Sequence, residues 1–222
     1  MRLIAATSIA LACAFALSSP ARAADVTFTG FAHGSETVTF SLTAPSAVAS
    51  GTVSAGGFAT VLNGGPSFVS YCVDLYQHIS FGTLYPEYTP PGTSHVFANA
   101  ARAYADLGRL YANAGVVDTS VKVAAFQIAA WEIAYETTAG PYSLGSGAAT
   151  FSGGSADSSG ALVQAATWLA GLGSGAGQSI RVLESSDHQD VITSVPEPST
   201  YMLMLAGLAA TAEISRRKRK QA

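Results

Sequence analysis

The spacing of apolar residues changes period along this chain, and each change predicts a different element. Residues 26–31, 37–42, 51–62 and 68–75 are rich in Val, Thr, Phe and Tyr, often alternating with polar or small residues. Clusters of Gly, Ser, Asn or Pro separate them, which predicts strands of an antiparallel sandwich or barrel. Gly56-Gly57 is read as a tight hairpin turn within the third run, and Asn63-Gly64-Gly65-Pro66 as a strong turn signal. From 94 to 113 the period lengthens. Val96, Phe97, Ala100, Ala103, Tyr104, Leu107 and Tyr111 recur three and four apart, with Ser94 as candidate N-cap and Gly115 past the end. A second helix is expected from 118 or 119 to about 136. Between 121 and 134 only Lys122, Gln127 and Glu132 are polar, so this helix should be buried nearly all round. Residues 146–160 read as a small-residue surface loop, 159–172 as a third helix, and 179–183 and 190–193 as closing strands, the last able to return to the first sheet. The expected fold class is α+β: an antiparallel β sandwich or barrel framework with a helical insertion of two to three helices.

The two ends follow other rules. Met1-Arg2, an apolar run over 3–17 and Ala21-Arg22-Ala23 have the order of a secretory signal peptide; the apolar run is too short for a membrane-spanning helix and a cleavage pattern follows it. At the other end Pro196-Glu197-Pro198 leads into an apolar segment, 201–214, and then Arg216-Arg217-Lys218-Arg219-Lys220. Basic residues beside an apolar segment hold that end in the cytoplasm, so the body lies on the far side of the membrane. Fourteen residues at about 1.5 Å each reach roughly 21 Å, against a hydrocarbon core of about 30 Å. That suits a signal that is read and cut better than a lasting tail anchor. These three parts resemble the PEP-CTERM sorting signal of Gram-negative bacteria. The resemblance implies handling by an exosortase, with the membrane helix transient and the product exported to the cell surface or the extracellular space. The expected division is thus 1–23 signal peptide, 24–194 exported domain and 195–222 sorting signal.

Charge and cysteine then narrow the function. The body, 24–194, holds four basic residues (Arg102, Arg109, Lys122, Arg181) against twelve acidic ones, and the tail holds five of the chain's eleven basic residues. A body this acidic is a poor partner for nucleic acid. Once the leader with Cys13 is removed, Cys72 is the lone cysteine in an oxidising compartment, where it has no internal disulfide partner. It is buried and inert, paired between chains, or chemically used. His33, His78, His95 and His188 lack the spacing of a zinc site, so neither metal nor cofactor is expected. Asp74, Glu132 and Glu136 are candidates for a carboxylate pair. Tyr76, Tyr85, Tyr88 and Tyr142 are candidates to line a glycan groove, or else to pack.

Two segments carry the remaining chemistry: Tyr71-Cys72-Val73-Asp74 at a strand end and Phe126-Gln127-Ile128-Ala129-Ala130-Trp131 inside the second helix. Together they resemble the Cys-Gln thioester domains of bacterial surface adhesins. In that family a Cys after an aromatic residue reacts with the Gln of a Thr-Gln-x-Ala motif followed by an apolar residue and Trp. Gln127, Ala129 and Trp131 match; Phe126 stands where the family has Thr. The resemblance implies a Cys72–Gln127 thioester, with Tyr71, Asp74, Phe126, Ala129 and Trp131 supporting it. It also implies one-time attachment to an amine on a partner, a surface protein or an extracellular polysaccharide, without catalytic turnover. The alternative is a noncovalent structural or glycan-binding matrix protein in which Cys72 is core. A hydrolase using Cys72 and a distant His stands third.

Overall fold

Alternation does set the strands. The computed structural model describes residues 23–89, 96–195 and position 211. The leader expected at 1–23, apart from its last residue, and the sorting signal expected at 195–222, apart from Val195 and Thr211, lie outside them, as do Pro196-Glu197-Pro198, Ser94 and His95. Strand β1 (Ala24–Phe31) buries Ala24, Val26 and Phe28, and β2 (Glu36–Leu42) buries Val38, Phe40 and Leu42, each turning every second side chain inward. The chain continues through β3 (Ala49–Ala55), β4 (Phe58–Leu62), β5 (Ser67–Cys72) and β6 (Leu84–Tyr88). Next come the helices α1 (Ala100–Asn113) and α2 (Ser120–Tyr135), then β7 (Ala149–Ser152), α3 (Gly154–Ser158), α4 (Ala161–Ala170), β8 (Ile180–Leu183) and β9 (Val191–Ser194).

Two antiparallel sheets result. One has six strands in the order β6-β1-β4-β5-β9-β8, the other three in the order β3-β2-β7, and together they curl into a half-barrel. The fold is therefore α+β with an antiparallel framework, but the helices among the described residues number four, one more than the upper expectation. The run at 51–62 does break into two strands at Gly56-Gly57, but they belong to different sheets. Gly56-Gly57 is a corner between sheets and not a hairpin turn. A Cβ at Gly57 would come within 2.7 Å of Val69 and 3.2 Å of the Tyr71 ring, so the corner passes too close to β5 for any other residue. Asn63-Gly64 does make the β4–β5 hairpin: both have positive φ, 50° and 67°, as a type I′ turn requires. The stretch 146–160 is not an open loop, since it supplies β7 to the small sheet and all of α3. Its Gly and Ser residues mask a strand whose register, Phe40 opposite Phe151, is set by the partner.

Helix α2 is the axis of the core. Thr119 caps it, its side chain accepting from the Lys122 N–H, and every residue from Val123 to Tyr135 is buried. It packs on α1 and α4 and on strands of both sheets, which is what an all-round apolar helix requires. Helix α1 begins later than Ser94, with Asn99 as its cap, and ends before Gly115, which takes a positive φ of 65°. The last strand, β9, pairs with β5 and so closes the first sheet after four intervening helices.

Candidate functional site: the Cys72–Gln127 contact

Cys72 is the last residue of β5. On one side β5 pairs with β9, Tyr71 opposite Ile192 and Cys72 opposite Val191. On the other side β4 begins only at Phe58, opposite Ser70, because the chain has just turned at Gly56-Gly57. The main chain of Cys72 therefore lacks a strand neighbour there, and Gln127 of α2 supplies one. The Cys72 N–H donates to Gln127 Oε1 at 3.0 Å, and Gln127 Nε2 donates to the Cys72 carbonyl at 2.6 Å. Both residues are about 1% exposed, so this pair forms away from water. A side chain 55 residues away thus satisfies two main-chain groups that would otherwise be buried unpaired.

The sulfur has its own partners. Cys72 Sγ donates to the Asp74 carbonyl at 3.0 Å and accepts from the Asp74 N–H at 3.3 Å. Burial pushes the thiol well above its ordinary pKa, the nearby carboxylates of Asp74 and Asp190 push the same way, and the Trp131 indole and the Asp74 main chain pull it back. At neutral pH the group is a thiol. Asp74 Oδ1 in turn accepts from the Tyr76 N–H at 2.8 Å, which fixes the turn that follows the strand.

The other residues singled out in the sequence surround this contact. The Tyr71 ring lies on Phe126 with centroids 4.2 Å apart, and both line an apolar cavity of about 510 Å³ together with Leu62, Phe68, Tyr111 and Arg181. Phe126 thus fills space with an aromatic pair. Ala129 is fully buried. Trp131, one turn after Gln127, stacks on Phe151 at 6.0 Å and 11°, and its Nε1 is buried without an acceptor at hydrogen-bonding geometry.

Sequence reasoning missed Tyr135, whose hydroxyl accepts from the Leu75 N–H at 2.6 Å and ties α2 to the turn after Cys72. The signal was present: 127, 131 and 135 recur every four residues on one helical face. It also missed Asp190, fully buried beside the site, with Oδ1 accepting from the Ser185 N–H at 2.9 Å. Nothing in the local sequence marks that residue, because only the β5–β9 pairing brings it there.

The weaker candidates separate. Glu136 lies close enough to Glu132 to raise the proton affinity of that carboxyl, but Asp74 belongs with Cys72. Tyr85 and Tyr88 are core residues, 5% and 0% exposed, while the Tyr76 hydroxyl donates to the Ala47 carbonyl at 3.0 Å and the Tyr142 hydroxyl to Asp106 at 2.7 Å. His188 Nδ1 lies 2.7 Å from Glu87 Oε1. Among the described residues no cluster of His, Cys, Asp and Glu is arranged to hold a metal, and no helix is long and apolar enough to cross a membrane.

Comparison with known proteins speaks to the C-terminus. Residues 194–220 match the PEP-CTERM protein-sorting motif. No curated protein and no solved structure matches the chain. The motif implies an exported protein, transiently held in the membrane and then sorted by an exosortase. The likeness of the body to Cys-Gln thioester adhesins gains no support from these comparisons.

Proposed function

We propose that the exported body is a covalent-attachment module, in which Cys72 and Gln127 form an internal thioester that reacts once with an amine on a partner. The observation that carries this reading is the docking of the Gln127 carboxamide on the Cys72 main chain, at 3.0 and 2.6 Å in a dry core. An amide is a poor electrophile and needs both contact and charge stabilisation. The first hydrogen bond polarises the carbonyl and stands ready for an oxyanion on Oε1; the second holds the nitrogen that must leave. The sulfur adds to the side-chain carbon, the C–N bond breaks, and the thiol proton departs on ammonia. An amine then attacks the same carbon, the C–S bond breaks, and the proton released by the amine returns to sulfur. The product is a permanent amide, and the cycle does not repeat.

A surface protein or a polysaccharide bearing amino groups fits as the target, and the cell surface or the surrounding matrix fits as its place. The acidic body favours encounter with cationic amines at low salt, and Lys122 is the single lysine in residues 24–194 that competes for the bond.

A second reading is favoured by a different contact. The thiol proton already faces the Asp74 carbonyl at 3.0 Å, as in a structural cysteine. On that reading the protein is a noncovalent structural or glycan-binding matrix component.

Intact mass of the exported protein separates the two. The thioester reading expects a species lighter by one ammonia, restored to full mass by Cys72→Ala or Gln127→Ala apart from the substitution itself, and heavier by one methylamine after incubation with that amine. A full-mass wild-type protein whose thiol titrates on unfolding sinks it.

A further inference from the structure

The thioester reading leaves the buried indole donor of Trp131 without a role. Trp131 is 2% exposed, and its Nε1–H meets no acceptor at hydrogen-bonding geometry. An unmade buried hydrogen bond is costly, and most native donors avoid it. The ring has little freedom to seek a partner elsewhere, because it stacks on Phe151 of β7 at 6.0 Å and 11°. Its place on α2, one turn beyond Gln127, sets it on the helical face that meets Cys72.

We infer that Trp131 is a catalytic residue of the Cys72–Gln127 reaction, its indole N–H stabilising the negative charge that develops on the Cys72 sulfur. The inference rests on the thioester reading and deepens it.

The charge on sulfur arises twice. During bond formation the sulfur attacks the Gln127 carboxamide as it gives up its proton; during attachment the sulfur is the leaving group expelled by the amine. In the resting thiol there is no charge to bind, which accounts for an indole N–H that lies by the sulfur yet falls short of hydrogen-bonding geometry. Two further facts agree. The Trp131 indole is the side-chain donor that favours the ionised form of this thiol against the effect of burial. The Asp74 N–H, 3.3 Å from Sγ, is a second donor on the same sulfur, so the two together make a small anion site for a thiolate.

A shielding role for the same ring predicts the opposite sign. If Trp131 only roofed the bond against water and amines, removing or shrinking it would speed cleavage. If it stabilises the sulfur anion, removing the N–H slows both formation and aminolysis.

The test follows ammonia loss after expression and the rate of methylamine incorporation by intact mass, in the exported protein, the Trp131→Phe variant and a second variant that keeps the shape of the ring. The second carries benzothienylalanine at 131 in a Trp168→Phe background, which removes only the N–H. The expected result is a slowing of both steps by about ten- to a hundredfold in each variant, the range for losing a hydrogen bond to a charged group, with thermal unfolding of the benzothienyl protein unchanged. Unchanged or faster aminolysis in the benzothienyl protein overturns the inference while leaving the thioester standing. A wild-type protein that never loses ammonia overturns both.

Discussion

Gln127 acts through its side-chain amide alone, and both ends of that amide are used. Removing it leaves the Cys72 N–H and carbonyl buried without partners, so Gln127→Ala is expected to lower the stability of the free-amide form by about 2–4 kcal/mol, measured by denaturant unfolding. Glu132 makes a separate prediction with a definite sign. Burial pushes its carboxyl up to about 8, with the Ser143 N–H pulling it down and Glu136 pushing it up. Its folded pKa lies above the unfolded one, so the folded state holds the proton more tightly. Stability is fully present below the unfolded carboxylate range, falls as pH rises from about 4.5 towards 8, and loses up to roughly 1.4 kcal/mol per pH unit in that window. Glu132→Gln keeps the shape of the protonated acid, and should flatten that slope when unfolding is compared at pH 5 and pH 8.

Helix α1 shows how an element can reverse an ordinary rule. Gly108 lies mid-helix, where alanine is usually better by about 1 kcal/mol. Here a Cβ would stand 2.5 Å from the Gln178 carbonyl oxygen, because the strand-bound segment crosses the helix at Gly177, itself 2.5 Å from Gly108 if given a Cβ. Gly108→Ala is therefore expected to destabilise by about 1–3 kcal/mol, read as a lowered midpoint in urea with an unchanged slope. The same kind of context decides which elements the sequence disclosed. Val38, Phe40 and Leu42 alternate, and Val123 to Tyr135 is apolar all round, so β2 and α2 are legible from one stretch of chain. The change of sheet between β3 and β4 is not: alternation runs through Gly56-Gly57, and only the close approach to Val69 and Tyr71 shows a corner. Strand β7 and helix α3 are hidden likewise, in Gly, Ser and Ala residues ordered by Thr37, which exchanges hydrogen bonds of 2.9 Å with Ser155. In the site, Cys72, Gln127 and Trp131 are visible as a motif. Asp190 is invisible because a late strand brings it in.

The molecule as a whole divides its chemistry between an acidic exported body and a basic C-terminal tail. The sorting motif at 194–220 begins at Ser194, the last residue of β9, so a cut beyond that residue would leave both sheets whole. Replacing Pro196, Glu197 and Pro198 by alanine is expected to hold the uncut precursor in the membrane fraction, seen by immunoblot as a larger band; release at the normal size would contradict that role. The proposed attachment needs a different scale of measurement, because on that reading the body would carry its reactive bond through export before meeting a partner. The most direct test is peptide mapping of the exported protein after digestion at acid pH, where a thioester survives. The account predicts one linked pair of peptides, containing Cys72 and Gln127, short of their summed mass by one ammonia. Two separate peptides at full mass, one with a free thiol and one with an intact glutamine, would contradict it.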